Sequence, residues 1–337
     1  MDAQIQPMTL GDMFEKTFTL IGRTFVRNLI VGAIFLIVPI ILMTSAMRHF
    51  FMAISQVNAL GGNETLGSGL QGALEMIRLM SIFWATIILL AVCTLLAEIV
   101  VCIIVSKEFK SEHIDVGAAL GDTFDKKWLY GIGQILLKDA ILIGGAVVGG
   151  IAVAILAAVV AAVSEGAEAF FVAVMVVVII AMMVALIFFA IKWYFSLAAV
   201  AVDGLGPTES LRKSWQLVKG YWWRTLGILI LFWILSQFVI SIISLPITFA
   251  SMWGFYKHFF TMLGNTNGQL DMDAFRELQR SLGPAIGLGS GVSSLLTLLI
   301  SPVYTVVMYY DLRARKNDFP IPEVPADAQI TPPAPSV

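Results

Sequence analysis

Long apolar runs separated by short charged segments dominate the chain. Six runs, at about residues 28–47, 79–105, 139–163, 170–192, 225–250 and 285–310, reach the roughly 20 apolar residues a helix needs to cross the hydrocarbon core of a bilayer. The pattern predicts an all-α bundle of six transmembrane helices with both termini on one side. Shorter amphipathic stretches precede some of the runs. Leu10, Phe14, Phe18, Ile21 and Phe25 recur at helical spacing, while Asp12, Glu15, Thr19 and Arg23 take the other face. Before the fifth run, Pro207 suits a first helical turn, Leu211, Trp215, Val218 and Trp222 form the stripe, and Gly220 stops or kinks it. Such helices are expected to lie in the membrane interface.

The pattern repeats. Phe14-x-Lys16-Thr17-Phe18-x-Leu20-Ile21 leads to Phe25-Val26-Arg27-Asn28-Leu29, and Leu211-x-Lys213-Ser214-Trp215-x-Leu217-Val218 leads at the same spacing to Trp222-Trp223-Arg224-Thr225-Leu226. A looser copy, Leu120-x-x-Thr123-Phe124, reaches Leu136-Leu137-Lys138-Asp139-Ala140 only through an insertion, which sets Lys138 at the place of Arg27 and Arg224. The expected unit is a cytoplasmic interfacial helix followed by a two-span hairpin, present as three parallel repeats at about 8–105, 112–203 and 205–311. Together they make an integral membrane domain over 1–319, with a disordered, Pro-rich cytoplasmic tail over 320–337. Parallel repeats differ from the inverted repeats of many transporters.

Composition agrees with this class. Of 337 residues, 58% are hydrophobic and 13% charged, against about 25% charged in soluble domains, and the mean hydropathy is +0.88. A soluble globular enzyme is excluded. The net charge of −2 and absence of a basic patch argue against nucleic acid as a partner. No cleaved signal peptide is read at the N-terminus. Fifteen Lys and Arg fall on the side of the termini and five (Arg48, Arg78, Lys257, Arg276, Arg280) on the other, so the positive-inside rule places both termini in the cytoplasm.

Catalytic chemistry is not visible. Cys93 and Cys102 are too far apart along one helix to meet, and the topology separates His113 from His49 and His258. No metal-binding, nucleophile-elbow or phosphate-loop motif is present, so no catalytic residue, metal or cofactor is assigned. Gly144, Gly145, Gly149, Gly150, Gly287 and Gly291 read as close helix-packing positions, and Pro39, Pro246 and Pro302 as packing kinks. Asn63-Glu64-Thr65 has the glycosylation pattern. Asp271, Asp273 and Glu277 read as the cap of a short helix ending at Gly283-Pro284. Trp253, Phe255, Tyr256, Phe259 and Phe260 read as an interfacial belt.

Charge inside the spans is the best pointer to function. Glu98 lies about 10 Å inside the second span at 1.5 Å per residue, and Lys192 lies near the end of the fourth. They are expected to approach one another or share a polar cavity, with snorkelling as the alternative for Lys192.

The stretch from Val202-Asp203-Gly204-Leu205-Gly206-Pro207 through Lys213-Ser214-Trp215 to Gly220-Tyr221-Trp222-Trp223-Arg224 resembles the membrane domain of some bacterial glycerophosphoryl diester phosphodiesterases, which also occurs alone. The ending Tyr309-Tyr310-Asp311-Leu312-Arg313-Ala314-Arg315-Lys316 and the opening Leu10-Gly11-Asp12-Met13-Phe14 are similar to that family's. The resemblance implies a prokaryotic plasma-membrane protein with interfacial helices. It implies no hydrolysis, because the catalytic domain of the fused members has no counterpart here. The expected function is therefore non-enzymatic: binding of lipid or another amphiphile, or service as a membrane subunit or scaffold for a membrane or soluble protein partner. Its expected residues are Lys16, Phe18, Arg27, Lys213, Trp215, Trp222 and Arg224 of the interfacial helices. A transporter or channel for a small solute is the alternative, resting on Glu98, Lys192 and the proline-broken spans. The sequence sets no oligomeric state.

Overall fold

A computed structural model describes residues 6–60, 66–163, 168–264 and 272–318. All regular structure in them is helical: α1 (Leu10–Leu60), α2 (Leu66–Phe109), α3 (Val116–Asp122), α4 (Trp128–Val163), α5 (Glu168–Lys192), α6 (Ser196–Asp203), α7 (Pro207–Val218), α8 (Trp222–Ser251), α9 (Trp253–Gly264) and α10 (Met272–Arg315). Six of these, α1, α2, α4, α5, α8 and α10, are long and apolar enough to cross a membrane, which makes the chain a multi-pass membrane protein. They coincide with the six runs read from the sequence. The glycosylation pattern, Asp271 and the tail from Pro320 lie outside the described residues.

The helices preceding the spans differ from one another. Lys16 and Phe18 sit in the first turns of the 51-residue α1, which continues into the span unbroken; between Phe14 and Arg27 only Gly22 weakens the helix, and one glycine costs too little to end it. α3 joins α4 through a single π turn, Thr123–Lys127. Only α7 is a separate amphipathic helix. Pro207 occupies its first turn with Glu209 beside it, and it stops where Lys219 is extended and Gly220 takes φ +89°, a conformation that suits glycine. The short helix expected to end at Gly283-Pro284 is instead part of α10, which runs on through both residues and through Pro302. The helices likewise continue through Pro39 and Pro246.

The core lies at one end of the bundle, here called the collar, where α1 begins and α2 and α10 finish. Val100, Val101, Ile103 and Ile104 of α2 are buried there with Val303, Val306, Val307 and Met308 of α10, Met13 and Leu20 of α1, and Leu217 and Val218 of α7. α6 runs through the middle, with Ala198, Ala199 and Ala201 buried. It is separated from α5 by the turn Trp193–Phe195, and a single side chain secures that break. The buried Ser214 hydroxyl donates to the Lys192 carbonyl (2.8 Å) and accepts from the Phe195 N–H (3.1 Å), which satisfies two backbone groups that the interruption would leave unpaired. α6 ends at Gly204 in the left-handed region, φ +66°.

Towards the other end, α10 packs closely on α1. A Cβ on Gly287 would stand 2.6 Å from the Thr44 Cα, and one on Gly291 would stand 2.5 Å from Ile40 Cγ2, so both glycines permit the approach. Gly149 faces Met182 across α4 and α5, while nothing lies within 4 Å of a Cβ built on Gly144, Gly145 or Gly150. The packing role expected of these glycines thus holds for Gly149, Gly287 and Gly291 only.

Candidate functional site: a charged collar and its cleft

Each even-numbered span delivers a carboxylate to the collar: Glu108 from α2, Asp203 at the end of α6, and Asp311 from α10. Arg27 of α1 pairs with Glu108 at 2.6 Å and donates to the Ile114 carbonyl at 3.1 Å. His113 Nδ1 lies 3.3 Å from the same guanidinium. Asp203 accepts from Arg313 (2.7 Å) and from the Tyr309 hydroxyl (2.5 Å). Ser106 and Tyr310 share a hydrogen bond of 2.8 Å, and Phe109 stacks on Tyr310 with centroids 4.5 Å apart. Two large tyrosines are thereby buried with their hydroxyls satisfied.

Asp311 carries the densest set. Only 1% of its side chain is exposed, yet it takes Arg224 at 2.5 Å, Arg315 at 3.0 Å and the Met8 N–H at 2.8 Å. Both arginines also donate to the Met8 carbonyl, Arg315 at 2.7 Å and Arg224 at 3.3 Å. The segment before α1 is thus tied to α8 and α10 by charge-assisted bonds, the strong kind. Two guanidiniums against one carboxylate leave a surplus positive charge, and the five N–H groups of each arginine are not exhausted by these partners.

Beside this cluster lies a shallow, open cleft of about 510 Å³ lined by Pro7, Met8, Thr9, Leu10, Arg224, Ile228 and Arg315. Its wall is mostly apolar with the two arginines at one side, a combination suited to a molecule with an anionic head and a hydrocarbon body.

The residues singled out from sequence divide among different settings. Arg224 borders the cleft and Arg27 closes the α1–α2 pair. Lys16 is exposed with its ammonium 5.0 Å from the Phe109 ring, and Phe18 is exposed. Lys213 forms an ion pair with Asp318 at 2.5 Å. Trp215 and Trp222 meet Phe188 of α5. Glu98 and Lys192 are not brought together as an ion pair. The charged partner acting on Glu98 is Lys138 of α4, whereas the Lys192 ammonium stands 4.9 Å from the Trp215 ring and 5.5 Å from Phe188. The expected pairing fails because Lys192 follows α5 to its contact with α7 and α8, while Glu98 lies on the α2 side facing α4. Glu108, Asp203, Asp311, Tyr309 and Arg315 went unassigned in the sequence reading. Their signals are their place at span ends, next to the arginines that end or begin a span, and, for Asp203, Tyr309, Asp311 and Arg315, the motifs that carry the family resemblance. Among the described residues, no group of His, Cys, Asp and Glu could hold a metal ion.

No curated protein and no solved structure matches the chain, and nothing found links it to the phosphodiesterase membrane domains that its motifs resemble. What does match is the description of a domain of unknown function, DUF7847, over residues 133–312; as this is more than half of the chain, the protein belongs to that family.

Proposed function

We propose that this protein is a non-enzymatic plasma-membrane protein of a prokaryote that binds lipid or another anionic amphiphile at its cytoplasmic collar. The carrying observation is the cleft between the start of α1 and the α8–α10 arginines, apolar over most of its wall and cationic at one edge. The distribution of Lys and Arg supports a cytoplasmic collar and hence cytoplasmic termini, and the resemblance of the 202–224 and 309–316 motifs to phosphodiesterase membrane domains supports the prokaryotic setting. A membrane or soluble protein partner using the collar is the companion reading.

The same proposal includes three parallel repeats. Thr17, Thr123 and Ser214 are all buried, and eleven residues after each comes another buried polar side chain, Asn28, Gln134 and Thr225. This register needs no insertion in the middle copy, and it sets Gly133, rather than Lys138, opposite Arg27 and Arg224. A Cβ on Gly133 would meet Pro207 at 2.9 Å, so no arginine fits there, and Asp203 of that copy is served by Arg313 of α10 instead.

The test is native mass spectrometry of protein released from native-lipid nanodiscs. Leu10 lines the cleft and is 42% exposed, so Leu10→Trp narrows the cleft without disturbing the core. A selectively retained amphiphile that is lost in Leu10→Trp at unchanged melting temperature is the expected result. Retention identical to wild type overturns the cleft as the binding place. Solute flux in liposomes that disappears in Glu98→Gln would favour the transporter reading.

A further inference from the structure

Lys192 presents a separate problem. It is only 5% exposed, yet it forms no ion pair among the described residues; its ammonium lies against the faces of Trp215 and Phe188, and the charged groups that act on it are two further cations, Lys219 and Lys316. Aromatic faces attract an ammonium but do not neutralise it. Lys316 reaches in from the end of α10, its ammonium 5.3 Å from the Tyr221 ring and passing Gly220, where an added Cβ would come within 3.9 Å. The next residue contributes a donor. Trp222 Nε1 is buried and has no acceptor among the described residues, although an indole N–H can only donate and a buried orphan donor is costly. Trp222 also opens α8, where the first backbone N–H groups have no helical acceptor and the dipole favours an anion.

Lys192 and an indole N–H without an acceptor among the described residues thus lie where α5 and α8 meet through Phe188 and Trp222, 5.7 Å between centroids, at the N-terminus of α8, with Lys316 alongside and Lys219 next to Gly220 in the chain. Along their spans the two helices expose apolar side chains, Val184 and Ile180 on α5, Ile230 and Ile234 on α8. We propose that this corner holds the phosphate of an anionic phospholipid, with Lys192, Lys219, Lys316 and the Trp222 N–H around the phosphate and the acyl chains along α5 and α8. The assignment rests on the lipid-binding reading above but concerns a different place from the Arg224–Arg315 cleft.

Phosphatidylglycerol and phosphatidylcholine are titrated separately onto delipidated full-length protein and followed by native mass spectrometry. The proteins compared are wild type, Lys219→Gln/Lys316→Gln, Lys219→Arg/Lys316→Arg and Leu10→Trp. Both lysines are exposed, so the double variants keep their fold, which a melting curve checks. Expected are a phosphatidylglycerol adduct weakened about tenfold in the Gln pair, as for loss of charge-assisted contacts, its recovery in the Arg pair, and its persistence in Leu10→Trp. An adduct indifferent to the Gln pair but lost in Leu10→Trp overturns this corner while leaving the cleft standing, and equal binding of phosphatidylcholine overturns the assignment of an anionic lipid. Loss of neither adduct in either variant overturns both readings. Competition by inorganic phosphate as effective as the lipid overturns the assignment of a lipid.

Discussion

The α4–α5 hairpin and the α1–α2–α10 group are both apolar enough to cross a membrane, but they differ in what covers them. In the most apolar eighteen-residue stretches, none of α4 and 6% of α5 is buried within the protein, against 33%, 44% and 50% for α1, α2 and α10. The latter three are held by close glycine contacts and by a collar of buried ion pairs. Among the described residues, the middle hairpin touches the rest chiefly at its collar end, through Gln134 with Ser196 and the aromatic contacts of Phe188 and Phe189. A helix with its backbone bonds satisfied internally is stable in hydrocarbon without tertiary contacts, since lipid tails are as apolar as another helix. The lesson is that hydropathy marks the spans in this chain, whereas polar side chains at one end decide which spans pack together.

The largest test of that contrast is Asp311→Ala. Removing a carboxylate that is shared by Arg224, Arg315 and the Met8 N–H leaves two guanidiniums without their anion, with an expected loss of roughly 3–5 kcal/mol, read as a fall in melting temperature in nanodiscs. An unchanged melting temperature would mean that the collar does not hold the helices together.

Next come two glycines of equal hydropathy in unequal surroundings. Gly287→Leu forces α10 away from the Thr44 backbone and should cost roughly 1–3 kcal/mol, whereas Gly144→Leu meets nothing and should leave stability unchanged or slightly raised through helix propensity. Matching losses in the two variants would show that the hairpin is packed against something after all.

Ser214→Ala unpairs the Lys192 carbonyl and the Phe195 N–H and should cost about 1–3 kcal/mol. Its distinguishing readout is local: faster hydrogen exchange at Phe195 and Ser196 with little change in α1.

The smallest effect concerns the exposed loop outside this contrast. Lys107, through its hydrogen bond to Glu112 at 2.7 Å, holds the Glu112 carboxyl below its ordinary range. A depressed folded-state value means that the stabilisation is present above the unfolded carboxylate range and is lost as pH falls through the folded one. The pair is about half exposed, so screening keeps the effect under about 1 kcal/mol. Glu112→Gln should remove this small acid-side dependence from the melting temperature and leave the neutral-pH value almost unchanged.

The six spans were legible because their signal is local: a run of apolar residues long enough to cross a bilayer identifies itself by length alone. The break at Gly220, the helix beginning at Pro207 and the small-residue approach at Gly287 and Gly291 were legible for the same reason, each resting on the backbone preference or size of a residue where it stands. Continuity of α1 from Leu10 was not, because an amphipathic start followed by an apolar run reads the same whether the chain bends between them or runs straight. Nor was the fate of charge. Glu98 and Lys192 look alike in a hydropathy pattern, but the helices that carry them face different neighbours, so one comes under the influence of Lys138 and the other lies between aromatic rings. Asp311 gathers Arg224 from 87 positions away and Met8 from 303; electrostatic and hydrogen-bond partners are chosen by distance in space, and only the packing of the helices sets that distance.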